Sequence, residues 1–390
     1  MKIQFRSVCL SAHLDSFCRA VNEKCRGEFE FVYKTDDPGA MRRLIGWKTE
    51  ASFRNGFDDE AAQARALEVD VLYGMLREPD LFEARVVKGK KTVYAAERWL
   101  KPLVIKGVRL PAILRMLVPG YRKMVRRFVK LMDDPNFYLL PIGVHACRDF
   151  VRLYRLMHGD WRCWWRTPEV KIERRLGGEV EGFPRMRLWA YFVERSLGGL
   201  EGSVSTNYTN GHELGVGVCG HAAQDGCKGE VKVFWCGRML GLKRVDVLIK
   251  AVKKFNGKFS LLLVGEGPER KRLEKLAKGC DYIRFENYKP QSEVRRLMRE
   301  ASVYVMSSNA EEGWGAVIGE ALSEGCPVIS TYEVGSAVTL LSENWLYHAN
   351  SVDELVGKLC CLLEKKYDLT LGDWSGSTGA HYLLNDFLNN

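Results

Sequence analysis

The sequence predicts an α/β protein of two domains, and three observations carry that expectation. Its 390 residues are long for one hydrophobic core and comfortable for two. Apolar runs such as Val231-Lys-Val-Phe-Trp-Cys236, Leu261-Leu-Leu-Val264 and Val303-Tyr-Val-Met306 are each followed by turn residues and then a helical pattern. Between the halves, residues 196–229 are rich in Gly, Ser, Thr and Asn, as in Ser203-Val-Ser-Thr-Asn-Tyr-Thr-Asn-Gly211, and form a linker or a loop near it.

In chain order, strands are expected near residues 3–8, 29–33, 69–73, 92–94 and 138–142. After the linker come a strand over 231–236, a helix over 245–255, a strand over 261–264 and a charged helix to Lys278. A strand over 303–306 and a helix over 316–324 follow, and a last helix starts at Gly379. The resulting division is 1–195, 196–229, 230–366 and a C-terminal segment 367–390. No internal repeat is visible. The N-terminal run Met1-Lys-Ile-Gln-Phe-Arg-Ser-Val-Cys9 is too short an apolar stretch for a signal peptide and reads as the first strand. Nothing approaches the roughly 18 apolar residues that span a bilayer. The 12 cysteines show no paired C-x-x-C spacing, which favours reduced thiols in a cytoplasmic chain and gives no metal site.

The most informative segment is Glu312-Gly-Trp-Gly-Ala-Val-Ile-Gly-Glu320-Ala. Glu312 falls on the loop at the carboxyl end of a strand, and Glu320 one turn into the next helix. Gly313 and Gly315 flank Trp314 and allow close backbone approach. In open α/β sheets this edge binds ligands, and paired carboxylates suit hydroxyl-rich molecules. Upstream, Gly237-Arg-Met-Leu-Gly-Leu-Lys243 places Arg238 and Lys243 around a strand-to-helix turn, where an anion also meets free backbone N–H groups. Gly265-Glu-Gly-Pro-Glu269 occupies the same edge after the next strand. Alone it is equally an ordinary turn.

This order of motifs resembles the donor-binding half of retaining glycosyltransferase family 4. The matching pieces are Gly237-Arg238 with Lys243, Val264-Gly-Glu-Gly-Pro-Glu269, Ser307-Ser308, Glu312-Gly-Trp-Gly-Ala-Val with Glu320-Ala, and Gly325-Cys-Pro-Val-Ile329. The clear resemblance runs from about 231 to 334. It implies the GT-B fold, two Rossmann-like doubly wound domains facing a central cleft. Residues 1–195 would then serve the acceptor and 230–366 the nucleotide sugar, with the last helix crossing back to the N-terminal domain. It also implies roles. Arg238 and Lys243 would stabilise the departing diphosphate, Glu320 would hold ribose hydroxyls, and Glu312 would hold those of the transferred sugar. Gly237, Gly265, Gly313, Trp314 and Gly315 would line the donor site. No cofactor is implied beyond the nucleotide-diphosphate sugar donor. The lack of an Asp-x-Asp motif agrees with a metal-independent mechanism. The expected activity is a retaining, hexosyl-type transfer to a glycan, lipid-linked or small-molecule acceptor in polysaccharide or glycoconjugate synthesis. The same fold also serves sugar-nucleotide epimerases and phosphorylases, and a non-catalytic partner of a transferase is a further alternative.

On the acceptor side the sequence is less informative. The glycine-rich loop expected after the first strand is replaced by Cys9-Leu-Ser-Ala-His13. His13, Glu97, Arg98 and His145 are the candidates, each at the end of an expected strand. Structural readings stand beside them: core or surface histidines, and a local Glu97/Arg98 ion pair. Trp161, Trp164 and Trp165 are either a sugar-stacking wall or buried aromatics.

Charge is uneven. Residues 1–195 hold 37 basic and 25 acidic side chains, against 22 and 24 in residues 196–390. The surplus concentrates between Lys101 and Leu131, with nine basic residues and no acidic one. There Tyr121, Met124, Val125, Phe128, Val129 and Met132 form an apolar stripe with Arg122, Lys123, Arg126, Arg127 and Lys130 between them. The helix either packs that stripe on the N-terminal sheet or, as part of residues 101–132, rests on an anionic membrane as a peripheral patch. Nucleic-acid binding is disfavoured, because no recognition motif accompanies the charge.

Overall fold

A computed structural model describes residues 1–7, 12–25, 28–33, 54–56, 60–101, 103–105, 108–192, 231–363 and 374–387. The chain divides into two compact units, Met1–Val193 with Asp373–Asn390, and Glu194–Gly372. The expected linker over 196–229 lies outside the described residues.

The first unit is a parallel sheet of β1 (Ile3–Ser7), β2 (Phe29–Tyr33), β3 (Arg54–Gly56), β4 (Val71–Gly74), β5 (Lys91–Ala96) and β8 (Phe137–Pro141), in the order β3-β2-β1-β4-β5-β8. The winding direction changes between β1 and β4, so the sheet is doubly wound. Five strands follow buried apolar runs visible in the sequence. The sixth, β3, is Arg-Asn-Gly and has no hydrophobic pattern to announce it. A short antiparallel hairpin, β6 (Leu103–Ile105) and β7 (Val108–Leu110), interrupts the basic stretch. Aromatic rings fill the core: Phe5 stacks on Tyr73 at 4.3 Å, and Trp99 meets Phe128 edge-on at 4.8 Å. Arg85 is fully buried and donates to the carbonyls of Val69 (3.1 Å) and Lys91 (2.8 Å). Burial lowers its pKa to about 10, and the carbonyls supply the polar partners a buried guanidinium requires.

The C-terminal helix Gly376–His381 packs on helix Ala12–Lys24. Ser375 caps it, its hydroxyl accepting from the Thr378 N–H at 3.2 Å. The cap explains a start three residues earlier than the sequence pattern suggests. A Cβ at Gly376 would lie 2.4 Å from the Phe17 nitrogen, so only glycine permits this approach.

The basic helix spans Pro119–Met132 and buries Val125, Phe128, Val129 and Leu131. Its apolar stripe therefore packs inward. Arg127 is tied to Glu83 at 2.8 Å and Asp80 at 2.5 Å, which removes it from the free basic face. Arg122, Lys123, Arg126 and Lys130 remain exposed. Among the described residues, no helix is long and apolar enough to cross a membrane.

The second unit is also a parallel sheet: β9 (Val231–Cys236), β10 (Phe259–Val264), β11 (Ile283–Glu286), β12 (Val303–Met306), β13 (Val328–Thr331) and β14 (Leu346–Tyr347). Their order is β11-β10-β9-β12-β13-β14. Trp235, Leu263, Val305, Ile249 and Leu355 are all buried in one core cluster. Here the winding switches between β9 and β12, which places the ligand crevice outside their carboxyl ends.

Candidate functional site

The loops after β9, β10 and β12 meet at this switch point. After β9, the 3₁₀ turn Gly241–Lys243 leads through Arg244, in the left-handed region, into helix Val245–Lys253. Gly237 donates its N–H to the Val264 carbonyl (3.0 Å), and Met239 to that of Glu266 (2.7 Å). These bonds zip the first two loops together. Gly265 has φ +135°, and a Cβ there would lie 2.0 Å from the Gly237 oxygen. The Gly-x-Gly is thus more than an ordinary turn: it lets one ligand-side loop lie directly on another.

Lys243 reaches across the switch point to an ion pair with Glu312, both side chains being largely buried. The backbones on either side are also joined. Ser307 donates its hydroxyl to the Lys243 carbonyl (2.7 Å), and Asn309 its N–H to that of Leu242 (2.9 Å). The 313–315 segment is anchored in turn by helix Gly335–Leu340. Gly335 N–H donates to the Gly313 carbonyl (3.2 Å), Ser336 N–H to that of Trp314 (2.8 Å), and the Ser336 hydroxyl to that of Gly315 (2.9 Å). Trp314 is 5% exposed, so its side chain packs inward and only its backbone is left to serve a ligand. A side chain at Gly315 would strike Val334 at 2.6 Å. That glycine serves the packing beneath the loop rather than the approach of a ligand.

Glu320 lies in the first turn of helix Val317–Ser323. Its field, with that of Glu312, reaches the ends of β9 and β12. Burial pushes the Cys236 thiol up to about 12, and Glu320 adds to the rise while Lys243 opposes it. Burial likewise holds the Tyr304 phenol well above its usual value, with Cys236, Glu320 and Glu312 adding to the effect. The Lys243–Glu312 pair thus lies at the switch point, with Glu320 acting on the same buried strand-end groups. Arg238, two residues beyond β9, is exposed and makes no ion pair or side-chain hydrogen bond among the described residues. The site therefore offers an unneutralised cation, a lysine shared with a carboxylate, and a second carboxylate. That combination suits a ligand carrying both phosphate charge and hydroxyl groups.

Nothing in the sequence singles out Arg270. It donates to the carbonyls of Gly265 (2.8 Å) and Glu286 (2.9 Å), with its guanidinium 4.9 Å over the Phe285 ring. In Gly-Pro-Glu-Arg-Lys-Arg it looks like one of several solvated helix charges, and only the fold turns it toward the strand ends. Arg270→Ala removes the donor to the Gly265 carbonyl and leaves the Glu286 carbonyl only the Gly265 N–H (3.0 Å), and should cost about 1–3 kcal/mol. Ligand binding at this edge should weaken with it. Thermal unfolding with and without nucleotide ligand checks this.

In the first unit the candidates all follow carboxyl ends of parallel strands, but their environments differ. Glu97, after β5, accepts from the Tyr191 hydroxyl and from Lys101 Nζ, each at 3.0 Å. Arg98 pairs instead with buried Asp149 at 3.2 Å, so the two neighbours do not pair with each other. Burial pushes the Asp149 carboxyl up, against the pull of Arg98. Arg98 thus holds a loop in place, and Glu97 remains the more open carboxylate. His145 is half-buried in the first turn of helix Val144–Met157, after β8. His13 is the second residue of helix Ala12–Lys24, and its side chain lies outside the described part. The buried-aromatic reading fails for two of the three tryptophans: Trp161 is 62% and Trp165 70% exposed, and it is Cys163 that points inward.

Residues 230–365 match the family model described as glycosyl transferases group 1. The lipopolysaccharide core biosynthesis glycosyltransferase LpsE of Rhizobium meliloti is 37% identical over 106 residues, covering 26% of this chain and 30% of that protein. The UDP-N-acetylglucosamine–peptide N-acetylglucosaminyltransferase GtfA subunit of Streptococcus agalactiae is 34% identical over 100 residues, 24% of this chain and 19% of that one. The chain thus spans less than a third of the length of these curated relatives. Among solved structures, Anabaena Alr3699/HepE in complex with UDP superposes with a TM-score of 0.61 at 14% identity, covering 100% of both chains. The apo lipopolysaccharide outer core galactosyltransferase WaaB gives 0.54 at 11% identity, covering 99% of this chain and 96% of that one. With the two doubly wound sheets, these likenesses establish the GT-B fold.

Proposed function

We propose that the chain is a retaining, metal-independent glycosyltransferase of family 4, using a nucleotide-diphosphate sugar in polysaccharide or glycoconjugate synthesis. The observation that carries this is the Lys243–Glu312 ion pair at the β9/β12 switch point, with Arg238 in the loop after β9 and Glu320 in the helix after β12, within the stretch matching the family model. The relatives named are transferases, which supports transfer over epimerisation or phosphorolysis.

In this reading the bond from sugar C1 to the β-phosphate oxygen breaks and negative charge develops on that oxygen. Arg238 and Lys243 stabilise it, and cations fixed in advance where charge develops usually supply much of an enzyme's rate enhancement. The acceptor hydroxyl attacks C1 from the same face, and the departing phosphate oxygen takes its proton. Glu320 orients the ribose. Glu312 holds sugar hydroxyls and, through the Lys243 pair, keeps the lysine aimed before the donor arrives. The first unit holds the acceptor, with Glu97 and His145 as candidates for contact. The protein works in the cytoplasm, where nucleotide sugars are available.

The test is a panel of nucleotide sugars scored by thermal stabilisation, since a ligand at 100 times its Kd stabilises by about 2.7 kcal/mol. Silence across the panel would remove the donor assignment. With a donor in hand, the fresh product should keep the donor's anomeric configuration by NMR, and EDTA should leave the rate unchanged. Inversion would exclude the retaining mechanism. Isomerised sugar formed from donor alone would point to an epimerase.

A further inference from the structure

Two arginines of the first unit, Arg77 and Arg115, take no part in any role given above. We infer that these two, arranged around Trp99 and Tyr121, bind a negatively charged group of the acceptor, a phosphate or a carboxylate. The inference rests on the reading that the first unit holds the acceptor.

The first observation is where they stand and what holds them. Arg77 follows β4 and Trp99 follows β5, and these strands are neighbours in the sheet. Both residues thus lie at the carboxyl edge beside the β1/β4 switch point, where such a sheet takes ligands. The guanidinium of exposed Arg77 lies 4.9 Å over the ring of buried Trp99, which fixes the cation from beneath. The same turn anchors the second arginine. The Tyr121 hydroxyl donates to the Trp99 carbonyl (3.1 Å), and Arg115 Nε to that of Lys101 (3.4 Å). Burial pushes the Tyr121 phenol up to about 12, and Arg77 and Arg115 both oppose the rise. Two cations therefore act on one hydroxyl.

The second observation is that no acid answers either arginine. The carboxylates of these loops are already engaged. Glu78 accepts from Arg6 Nε (3.0 Å) and Nη2 (2.9 Å). Glu97 accepts from Lys101 and Tyr191, and Asp149 from Arg98 and the Leu100 N–H (3.0 Å). Neither Arg77 nor Arg115 forms an ion pair among the described residues. Half-buried Arg115 uses only its Nε on a carbonyl, so both of its terminal amino groups keep donors for a ligand. A guanidinium fork matches the paired oxygens of a phosphate or carboxylate. Like charges held near one another repel, and a bound anion removes that repulsion. A neutral sugar would leave both cations unanswered, so the corner selects for charge.

The full-length protein should be titrated with glucose 6-phosphate, glucuronate and glucose at low salt, with binding followed by ligand-observed NMR. At least one charged probe should bind and glucose should not. Preference for glucose 6-phosphate assigns a phosphorylated acceptor, and preference for glucuronate an acidic sugar. Arg77→Gln and Arg115→Gln should each weaken binding on the order of tenfold, as expected for a lost charge-assisted hydrogen bond. Unaltered melting confirms the fold of both variants. Arg238→Ala reports any binding at the donor edge instead. The inference is overturned if neither charged probe binds, if Arg77→Gln/Arg115→Gln binds like the parent, or if only Arg238→Ala loses the probe. The donor reading is scored separately by nucleotide-sugar stabilisation. A silent panel with probe binding through Arg77 and Arg115 removes the donor assignment and keeps the anion site. A responsive panel without probe binding removes this inference alone.

Discussion

Arg238→Ala and Lys243→Ala should each lower turnover on the order of 100-fold or more, the usual effect of removing one preorganised group from developing charge. The two substitutions should differ in stability. Arg238 is solvent-exposed without a partner among the described residues, so its loss should leave melting unchanged, as for most surface charges. Lys243 is paired with Glu312, their side chains 20% and 16% exposed. Its removal strands a carboxylate in a partly desolvated position, and melting should fall. Combining Lys243→Met with Glu312→Gln should recover much of that stability, because a neutral pair avoids the unpaired charge. It should recover none of the activity. Near-normal turnover in both single variants would refute the diphosphate assignment.

The largest effect on stability should come from Gly265→Ala. The residue has φ +135°, and the new methyl would sit 2.0 Å from the Gly237 oxygen. No rotamer can relieve a backbone contact, so the β9 and β10 loops must part. The bonds from Gly237 to Val264 and from Met239 to Glu266 are then at risk. A cost above about 3 kcal/mol is expected from strain of this kind together with lost loop pairing. Two units need not unfold together, so hydrogen exchange over β9 and β10 is the appropriate measure. Unchanged protection there, with intact donor binding, would show that the loops tolerate separation.

Much of this molecule was legible from residues alone, where a local pattern has a single structural meaning. Strands β9 and β12 appear over the residues expected, because a buried parallel strand is a short apolar run bounded by turn residues. The spacing of Glu312 and Glu320 predicted a loop carboxylate and a helix carboxylate, and both stand there. The inward stripe of helix Pro119–Met132 followed from its period. Less visible were elements whose reason to exist is a neighbour. β3 is three residues with no apolar pattern, paired in parallel register with β2.

The sequence by itself determined the α/β character of the two units, the order of the strand-end loops along the chain and the residue types they carry, since these follow from periodicity and contiguous motifs. The resemblance implied the double winding that the strand orders then showed. Only the tertiary structure decided pairing between distant residues. It gave Lys243 to Glu312, Arg98 to Asp149 rather than to Glu97, Arg127 to Asp80 and Glu83, and Arg270 to two backbone carbonyls. It also left Trp161 and Trp165 in water. The physical reason is range. Hydrophobic period and turn chemistry act over a few residues, whereas a charged or aromatic side chain takes its partner from whatever the folded chain brings within a few ångströms.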